Sequence, residues 1–147
     1  MLNISFPAPD FQLKKENDKQ FLFDRIRKKW VLLTPEEWVR QNFVHFLVRE
    51  MAYPSTLIAL EKQIMVGEMQ KRFDVLVYDP LHQPWMMIEC KAPSVTLSED
   101  TLSQLLRYHI STPVPFLIIT NGKQTLGWNK RQGQLHALEQ MPVWNHP

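Results

Sequence analysis

Three charged residues stand in two short apolar runs, at positions where a core strand would normally be uncharged. They are Asp74, Glu89 and Lys91, within the segment RFDVLVYDPLHQPWMMIECKAP of residues 72–93. Burying such groups is costly unless they are paired or bind an ion. Carboxylates bind hard divalent cations, and a lysine near a metal can orient or deprotonate water, so the set is suited to metal-assisted hydrolysis. A strand-edge salt bridge is the alternative, but it leaves one carboxylate unbalanced.

Strand alternation predicts how these side chains are placed. In the first run we expect Phe73 and Val75 on one side and Asp74 on the other. In the second run Glu89 and Lys91 share one face, roughly 7 Å apart. If the runs pair as neighbouring strands, Asp74 reaches the same end as Glu89, and two carboxylates and an ammonium meet in an apolar layer.

Two helices are predicted around these strands. The first begins at Thr34 as N-cap, with Pro35 next and Glu37 three residues after the cap, and it ends at Tyr53-Pro54. Because the cap explains Glu37 without any function, a metal-binding role for it is only an alternative. The second helix has Ser98 as N-cap, a buried stripe of Leu102, Leu105, Leu106 and Ile110, and beside it the one-turn pair Gln104 and Tyr108.

The remaining segments define the fold class. Residues 116–120, FLIIT, predict a strand buried on both faces, as in a mixed central sheet, and two further strands follow it. The order predicts an α/β domain with a mixed central sheet and a helix on each side. We expect one globular domain overall, in which residues 34–147 form the core and residues 1–33 an extension with a surface lead-in and a β-hairpin. The basic run Arg25 to Lys29 is either a solvated turn of that hairpin or a phosphate-contacting patch.

Composition limits the class of protein. The chain has 147 residues, 44% of them hydrophobic, which suffices for one core, and a formal net charge of +2, which by itself does not indicate nucleic acid. One cysteine excludes an internal disulfide and any multi-thiolate zinc site. No apolar run approaches the ~18 residues of a membrane span. We therefore expect a soluble, cytoplasmic protein that does not act at a membrane.

The charged trio carries a family resemblance. Asp74, fourteen intervening residues and then Glu89-Cys90-Lys91 resemble the PD-(D/E)xK nuclease superfamily. More narrowly, the chain resembles the N-terminal nuclease domain of the restriction subunit of type I restriction enzymes. The supporting segments are TPEEWVRQ of residues 34–41, RFDVLVYD of 72–79, IECKAP of 88–93, the Gln104 and Tyr108 pair, and TNG of 120–122. Residues 1–33 lie outside the resemblance, and the helicase motor and specificity-contacting regions have no counterpart here.

The resemblance implies a magnesium-dependent deoxyribonuclease with a restriction-endonuclease-like core, in which Mn²⁺ can replace Mg²⁺. Its implied metal ligands are Asp74, Glu89, the carbonyl of Cys90, and Glu37, with Glu36 as the rival of Glu37. The other implied catalytic residues are Lys91, which acts on the attacking water, and Gln104 and Tyr108, which position the scissile strand or the lysine.

DNA is the implied substrate, with a separate specificity or motor protein as a further partner, and the oligomeric state is left open. We expect a basic rim around the site made of Lys62, Lys71, Arg72, Lys91 and Lys123. Two alternatives remain. One is a nuclease-fold module that binds DNA or a partner without cutting, and the other is an interaction subunit whose trio is only structural.

Overall fold

The structure, a computed structural model, describes residues 1–146. Pro147, the last residue of the predicted core domain, lies outside the described residues. The strands are β1 (Leu13–Glu16), β2 (Lys19–Asp24), β3 (Lys29–Leu32), β4 (Ile58–Val66), β5 (Met69–Tyr78), β6 (Pro84–Cys90), β7 (Phe116–Thr120), β8 (Thr125–Arg131) and β9 (Gln134–Ala137). The helices are α1 (Pro35–Arg49) and α2 (Glu99–His109), and a short 3₁₀ turn spans Ser55–Leu57.

The strands form two sheets. β1, β2 and β3 make an antiparallel three-stranded sheet, and β4 to β9 lie side by side in chain order in a second sheet of six strands. Within the larger sheet β6 and β7 are parallel, whereas the other neighbours are antiparallel. A parallel pair needs a crossover connection, and here α2 provides it. The predicted α/β fold with a mixed central sheet is confirmed.

One helix covers each face of the large sheet. Phe43 and Leu47 of α1 are fully buried against Ile88 and Ile118 on one face. On the other face the leucines of α2 pack against a second cluster that contains Met87. β7 contributes to both clusters, because alternate side chains of a strand point to opposite faces. The expectation of an apolar strand buried on both faces is therefore confirmed.

The helix caps are the predicted ones. Thr34 Oγ1 accepts a hydrogen bond from the Glu37 N–H at 3.0 Å, and Ser98 Oγ accepts one from Thr101 N–H at 3.3 Å. Two other expectations are wrong. α1 ends at Arg49, before the predicted Tyr53-Pro54. The buried stripe of α2 includes His109 and not Ile110, which is 46% exposed.

The N-terminal segment is more ordered than the sequence indicates. β2 and β3 pair as a hairpin, with Phe21 opposite Leu32, and the unpredicted β1 pairs with β2 on its other edge. The lead-in also packs against the large sheet: Leu2 is buried, and its N–H donates to the Thr125 carbonyl at 2.8 Å. The expectation of a surface lead-in is wrong at this residue, since the peptide covers an apolar face of the core.

Strand alternation breaks at Asp74. Phe73 lies in the cluster on the α2 side, whereas Val75 lies on the α1 side, so the predicted shared side for these residues is wrong. β4 pairs with β5 on both sides of Asp74 but not at it, and Glu61, the residue opposite, has a positive φ of 51°. The pairing of β5 with β6 begins only at Val75. The ladder is therefore interrupted on both sides of the Asp74 backbone.

Candidate active site

The interrupted ladder opens into a cavity of about 400 Å³ between the large sheet, α1 and α2. When all of its acidic side chains are ionised, four carboxylates oppose two guanidinium groups, a formal charge of −2. The lining residues are Glu36, Arg40, Glu61, Arg72, Asp74, Glu89, Leu105, Tyr108 and His109. A polar, negatively charged cavity of this kind is suited to a cation.

Asp74 is held by two contacts. Its Oδ2 accepts the Cys90 N–H at 2.7 Å, which replaces the missing strand pairing, and its Oδ1 accepts from Arg40 at 3.3 Å. Burial, and after it the negative charge of Glu89, raises the pKa of Asp74 to about 7. The Cys90 N–H and Arg40 favour the carboxylate form but do not offset these effects. Asp74 and Glu89 therefore sense each other, as neighbouring carboxylates in a metal site do.

Glu89 lies on the α2 face of the sheet, where its side chain is 15% exposed. Its Oε1 is 3.7 Å from His109 Nε2 on α2. The register of β5 and β6, with Val75 opposite Ile88, brings Glu89 beside Asp74. The structure thus brings the two predicted carboxylates together. Histidine 109 was missed, although it falls seven residues after Leu102 on the apolar stripe of α2.

Arg40 is the second residue that sequence reasoning missed. Its guanidinium is buried between α1 and β5 and contacts Glu37 at 2.9 Å and Asp74 at 3.3 Å. Burial works against its charged form, but these carboxylates outweigh that effect and raise the pKa of Arg40. Arginine three residues after Glu37 on a helix is a known ion-pair spacing, and this was the available signal.

Glu37 is not a free ligand. Its Oε1 accepts from Arg27 at 2.7 Å and from Arg40, and its Oε2 accepts from Gln41 at 3.3 Å. The structure leaves Glu37 outside the cavity and places Glu36 in its lining, with a side chain that is 48% exposed. Glu36 also raises the pKa of Asp74. Of the two rival glutamates, the geometry favours Glu36 as the one that faces the carboxylate pair.

The other predicted site residues are only partly brought together. Tyr108 lines the cavity, whereas Gln104 is exposed on α2 and does not line it. Lys91 follows directly after β6, and its backbone N–H donates to the Thr120 carbonyl at 2.8 Å. The Lys91 side chain is half-buried and does not line the cavity. Cys90 is buried in the core on the α1 side, so it meets the site through its backbone.

Two predictions about basic residues, one for the rim and one for the run Arg25 to Lys29, need correction. Lys71 is 2% exposed, and its Nζ donates to Thr112 Oγ1 at 3.1 Å and to the Tyr108 carbonyl, so it fastens the end of α2 and offers nothing to a substrate. In the basic run, Arg27 is neither a solvated turn residue nor a phosphate contact. It forms ion pairs with Asp24, Glu37 and Glu61.

A mixed sheet between two helices, with paired carboxylates on adjacent strands, defines a restriction-endonuclease-like domain. The family described as Type I restriction enzyme R protein N terminus (HSDR_N) matches residues 35–142, and the chain belongs to this family. A search of curated proteins gave no match. The family match supports a nuclease-related domain, and residues 1–34, with the small sheet, precede it. Over residues 1–146, no helix is long and apolar enough to cross a membrane.

The donor set fits a hard divalent cation only in part. Within the described chain, no three His, Cys, Asp or Glu side chains converge as a preformed metal cage. Mg²⁺ nevertheless keeps several waters and needs only one or two carboxylates from the protein. The Asp74 carboxyl, whose pKa is about 7 beside Glu89, retains a proton that a cation can replace. The two carboxylates are therefore the residues that would hold such an ion.

Proposed function

We propose that the chain is a metal-dependent DNA endonuclease domain that hydrolyses phosphodiester bonds. The observation that carries the proposal is the meeting of Asp74 and Glu89, from adjacent strands, in a cavity of formal charge −2. A salt bridge alone does not account for it, since Asp74 keeps a pKa near 7 despite Arg40. Membership of a restriction-enzyme family supports the same reaction class.

In this proposal Asp74 and Glu89 hold Mg²⁺, for which Mn²⁺ can substitute. Such an ion, when bound, would supply hydroxide near neutral pH and would stabilise charge on the phosphoryl oxygens and the leaving O3′. Lys91 does not line the cavity but lies only two residues after Glu89, and on substrate binding it would orient or deprotonate the attacking water, whose oxygen bonds to phosphorus as the P–O3′ bond breaks. The products are a 5′-phosphate and a 3′-hydroxyl. Tyr108, at the cavity wall, contacts the scissile strand, and Gln104 one turn earlier extends this contact.

DNA is the proposed substrate, and a separate specificity or motor protein is the proposed partner. The support is the family, whose description names the R protein of type I restriction enzymes. Free Cys90 is buried, which suits a protein that works in a reducing cytoplasm. The isolated chain should cut with little sequence preference, because recognition would be delegated to the partner.

A non-cleaving nuclease-fold binding module is the second candidate. One observation favours it: Arg40 contacts Asp74 at 3.3 Å, so a cation of the protein itself already neutralises one of the two proposed metal ligands. Under this hypothesis Arg40 permanently neutralises the carboxylates, and DNA or a protein partner docks without being cut.

Plasmid cleavage separates the two candidates. Purified protein is incubated with supercoiled plasmid in Mg²⁺, in Mn²⁺ and in EDTA, and nicked and linear products are quantified. The endonuclease hypothesis expects cleavage with either metal, none in EDTA, and loss of activity in Asp74→Asn and Lys91→Ala. The exposed variant Lys123→Ala serves as the matched control for Lys91. No cleavage by wild type, together with a DNA mobility shift, would instead establish the binding module.

A further inference from the structure

His109 is a buried histidine whose ring makes no hydrogen bond. It is 1% exposed, and neither Nδ1 nor Nε2 has a partner among the described residues. Buried polar atoms without partners are uncommon in folded proteins, and each asks for an explanation. If this position served only to pack the core, an apolar side chain would fill it more favourably.

The ring is aimed at the carboxylates and held there. His109 lines the cavity with Asp74, and its Nε2 lies 3.7 Å from Glu89 Oε1. Phe73 packs against one side of the imidazole, with ring centroids 5.6 Å apart, and Tyr108 meets it edge to face at 4.7 Å. Lys71 fastens the adjoining backbone by donating to the Tyr108 carbonyl. The nitrogen is therefore positioned by three surrounding groups, Phe73, Tyr108 and Lys71, and not by a hydrogen bond of its own.

The separation of these atoms suits a shared ion. Nitrogen and oxygen donors bind first-row metals at about 2.1 Å, so two neighbouring donors lie roughly 3.0–3.5 Å apart. The observed 3.7 Å between His109 Nε2 and Glu89 Oε1 is too long for a hydrogen bond and only a few tenths of an ångström longer than that range. Asp74, Glu89 and His109 line one cavity but do not already converge as a cage, so Asp74 would move toward the other two donors when the ion binds, and water would complete the coordination sphere.

We propose that His109 is a nitrogen ligand of the ion held by Asp74 and Glu89, and that the site therefore prefers Mn²⁺ to Mg²⁺. Imidazole suits first-row transition metals, whereas Mg²⁺ takes oxygen ligands. The proposal rests on the metal site of the proposed function and deepens it by naming the class of metal. It also accounts for one of the two unpartnered nitrogens, Nε2, which would bind the ion.

Pulsed electron paramagnetic resonance of the full chain with Mn²⁺ alone tests the proposal. A coordinated imidazole gives a ¹⁴N coupling to the Mn²⁺ spin, so wild type should show it. His109→Phe keeps the ring packing against Phe73 but has no nitrogen, and it should lose the coupling. The exposed His136→Phe is the control and should retain it. Titrations should show Mn²⁺ affinity at least 10-fold weaker in His109→Phe, and Mg²⁺ affinity changed less than 3-fold.

The outcomes separate this proposal from the nuclease hypothesis. A ¹⁴N coupling that depends on His109, in a protein that cuts no DNA, would support His109 as a metal ligand and refute the nuclease hypothesis. Cleavage by wild type without any ¹⁴N coupling, or with a coupling that persists in His109→Phe, would refute His109 as a metal ligand and leave the nuclease hypothesis supported. Failure of wild type to bind Mn²⁺ also refutes the ligand. If His109→Phe fails to fold, the wild-type spectrum and the Mn²⁺ to Mg²⁺ affinity ratio decide.

Discussion

Replacing Asp74 by asparagine should change how stability depends on pH. The substitution keeps the size of the side chain and removes the titrating carboxyl. It also keeps an oxygen that can accept the Cys90 N–H, which in wild type lies 2.7 Å from Asp74 Oδ2. In the folded protein the pKa of that carboxyl is about 7, raised from 3.8 by burial and by Glu89. The variant therefore isolates the free energy of ionising this one group inside the cavity.

The direction in which the stability changes with pH follows from which state, folded or unfolded, binds the Asp74 proton. Between pH 4 and 7 the folded protein keeps the Asp74 proton and the unfolded chain has lost it, so wild-type stability falls as pH rises through this window. A shift from 3.8 to about 7 corresponds to about 4 kcal/mol at most, at ~1.4 kcal/mol for each pKa unit. Asparagine has no such dependence. Relative to wild type, Asp74→Asn should thus gain up to about 4 kcal/mol between pH 4 and pH 8.

Urea unfolding in EDTA at several pH values measures this gain, and Asp100→Asn, which removes an exposed carboxyl outside the cavity, is the matched control and should not show it. A different result would refute the reasoning. If Asp74→Asn is less stable than wild type at pH 8 by ~3–5 kcal/mol, as expected when a buried ion pair is broken, then Asp74 serves Arg40 structurally.

Three further predictions concern the surrounding residues. Arg27→Met should cost ~3–5 kcal/mol in urea unfolding, because it leaves buried carboxylates unpaired, whereas Arg25→Met, at an exposed pair, should cost at most about 1 kcal/mol; similar costs would show that the buried network is unimportant. Lys91→Ala should reduce the log-log salt slope of DNA binding by about 0.9, whereas buried Lys71→Met should leave it unchanged, and the reverse order would place the DNA elsewhere. Mn²⁺ at ten times its dissociation constant should stabilise wild type by ~1.4 kcal/mol, a melting shift of roughly 3–6 °C, and Asp74→Asn should show little of it in the same thermal scan.

Local sequence signals predicted most of the fold. The caps at Thr34 and Ser98 are short-range patterns that need no tertiary information, and the structure forms both. The apolar strand at residues 116–120 agrees with β7 at both ends. The proximity of Asp74 and Glu89 followed from one further assumption, that consecutive strands pair as a hairpin, which the register confirms.

Tertiary contacts that no local pattern encodes account for what was missed. Arg27 reads as part of a basic turn, but its partner Glu61 is 34 positions away, and no local pattern links them. Lys71 has the spacing of an exposed strand residue, yet it is buried because the end of α2 supplies acceptors for its ammonium group. His109 occupies the buried position in the last turn of α2, where the sequence predicted Ile110 to be buried. For Arg27 and Lys71 the sequence therefore indicated a solvent contact where the structure has a tertiary contact.

The most direct test of the proposed hydrolysis is the single-turnover cleavage rate of a labelled DNA duplex, compared between wild type and Glu89→Gln prepared identically. Both proteins should bind the duplex when Ca²⁺ replaces the active metal, so that any difference in rate reflects the chemical step. The proposal predicts that wild type cuts in Mg²⁺ or Mn²⁺ and that Glu89→Gln is slower by about 100-fold or more, the order of loss expected when a metal site is disabled. Equal rates in the two proteins, or wild-type cleavage that persists in EDTA, would contradict it.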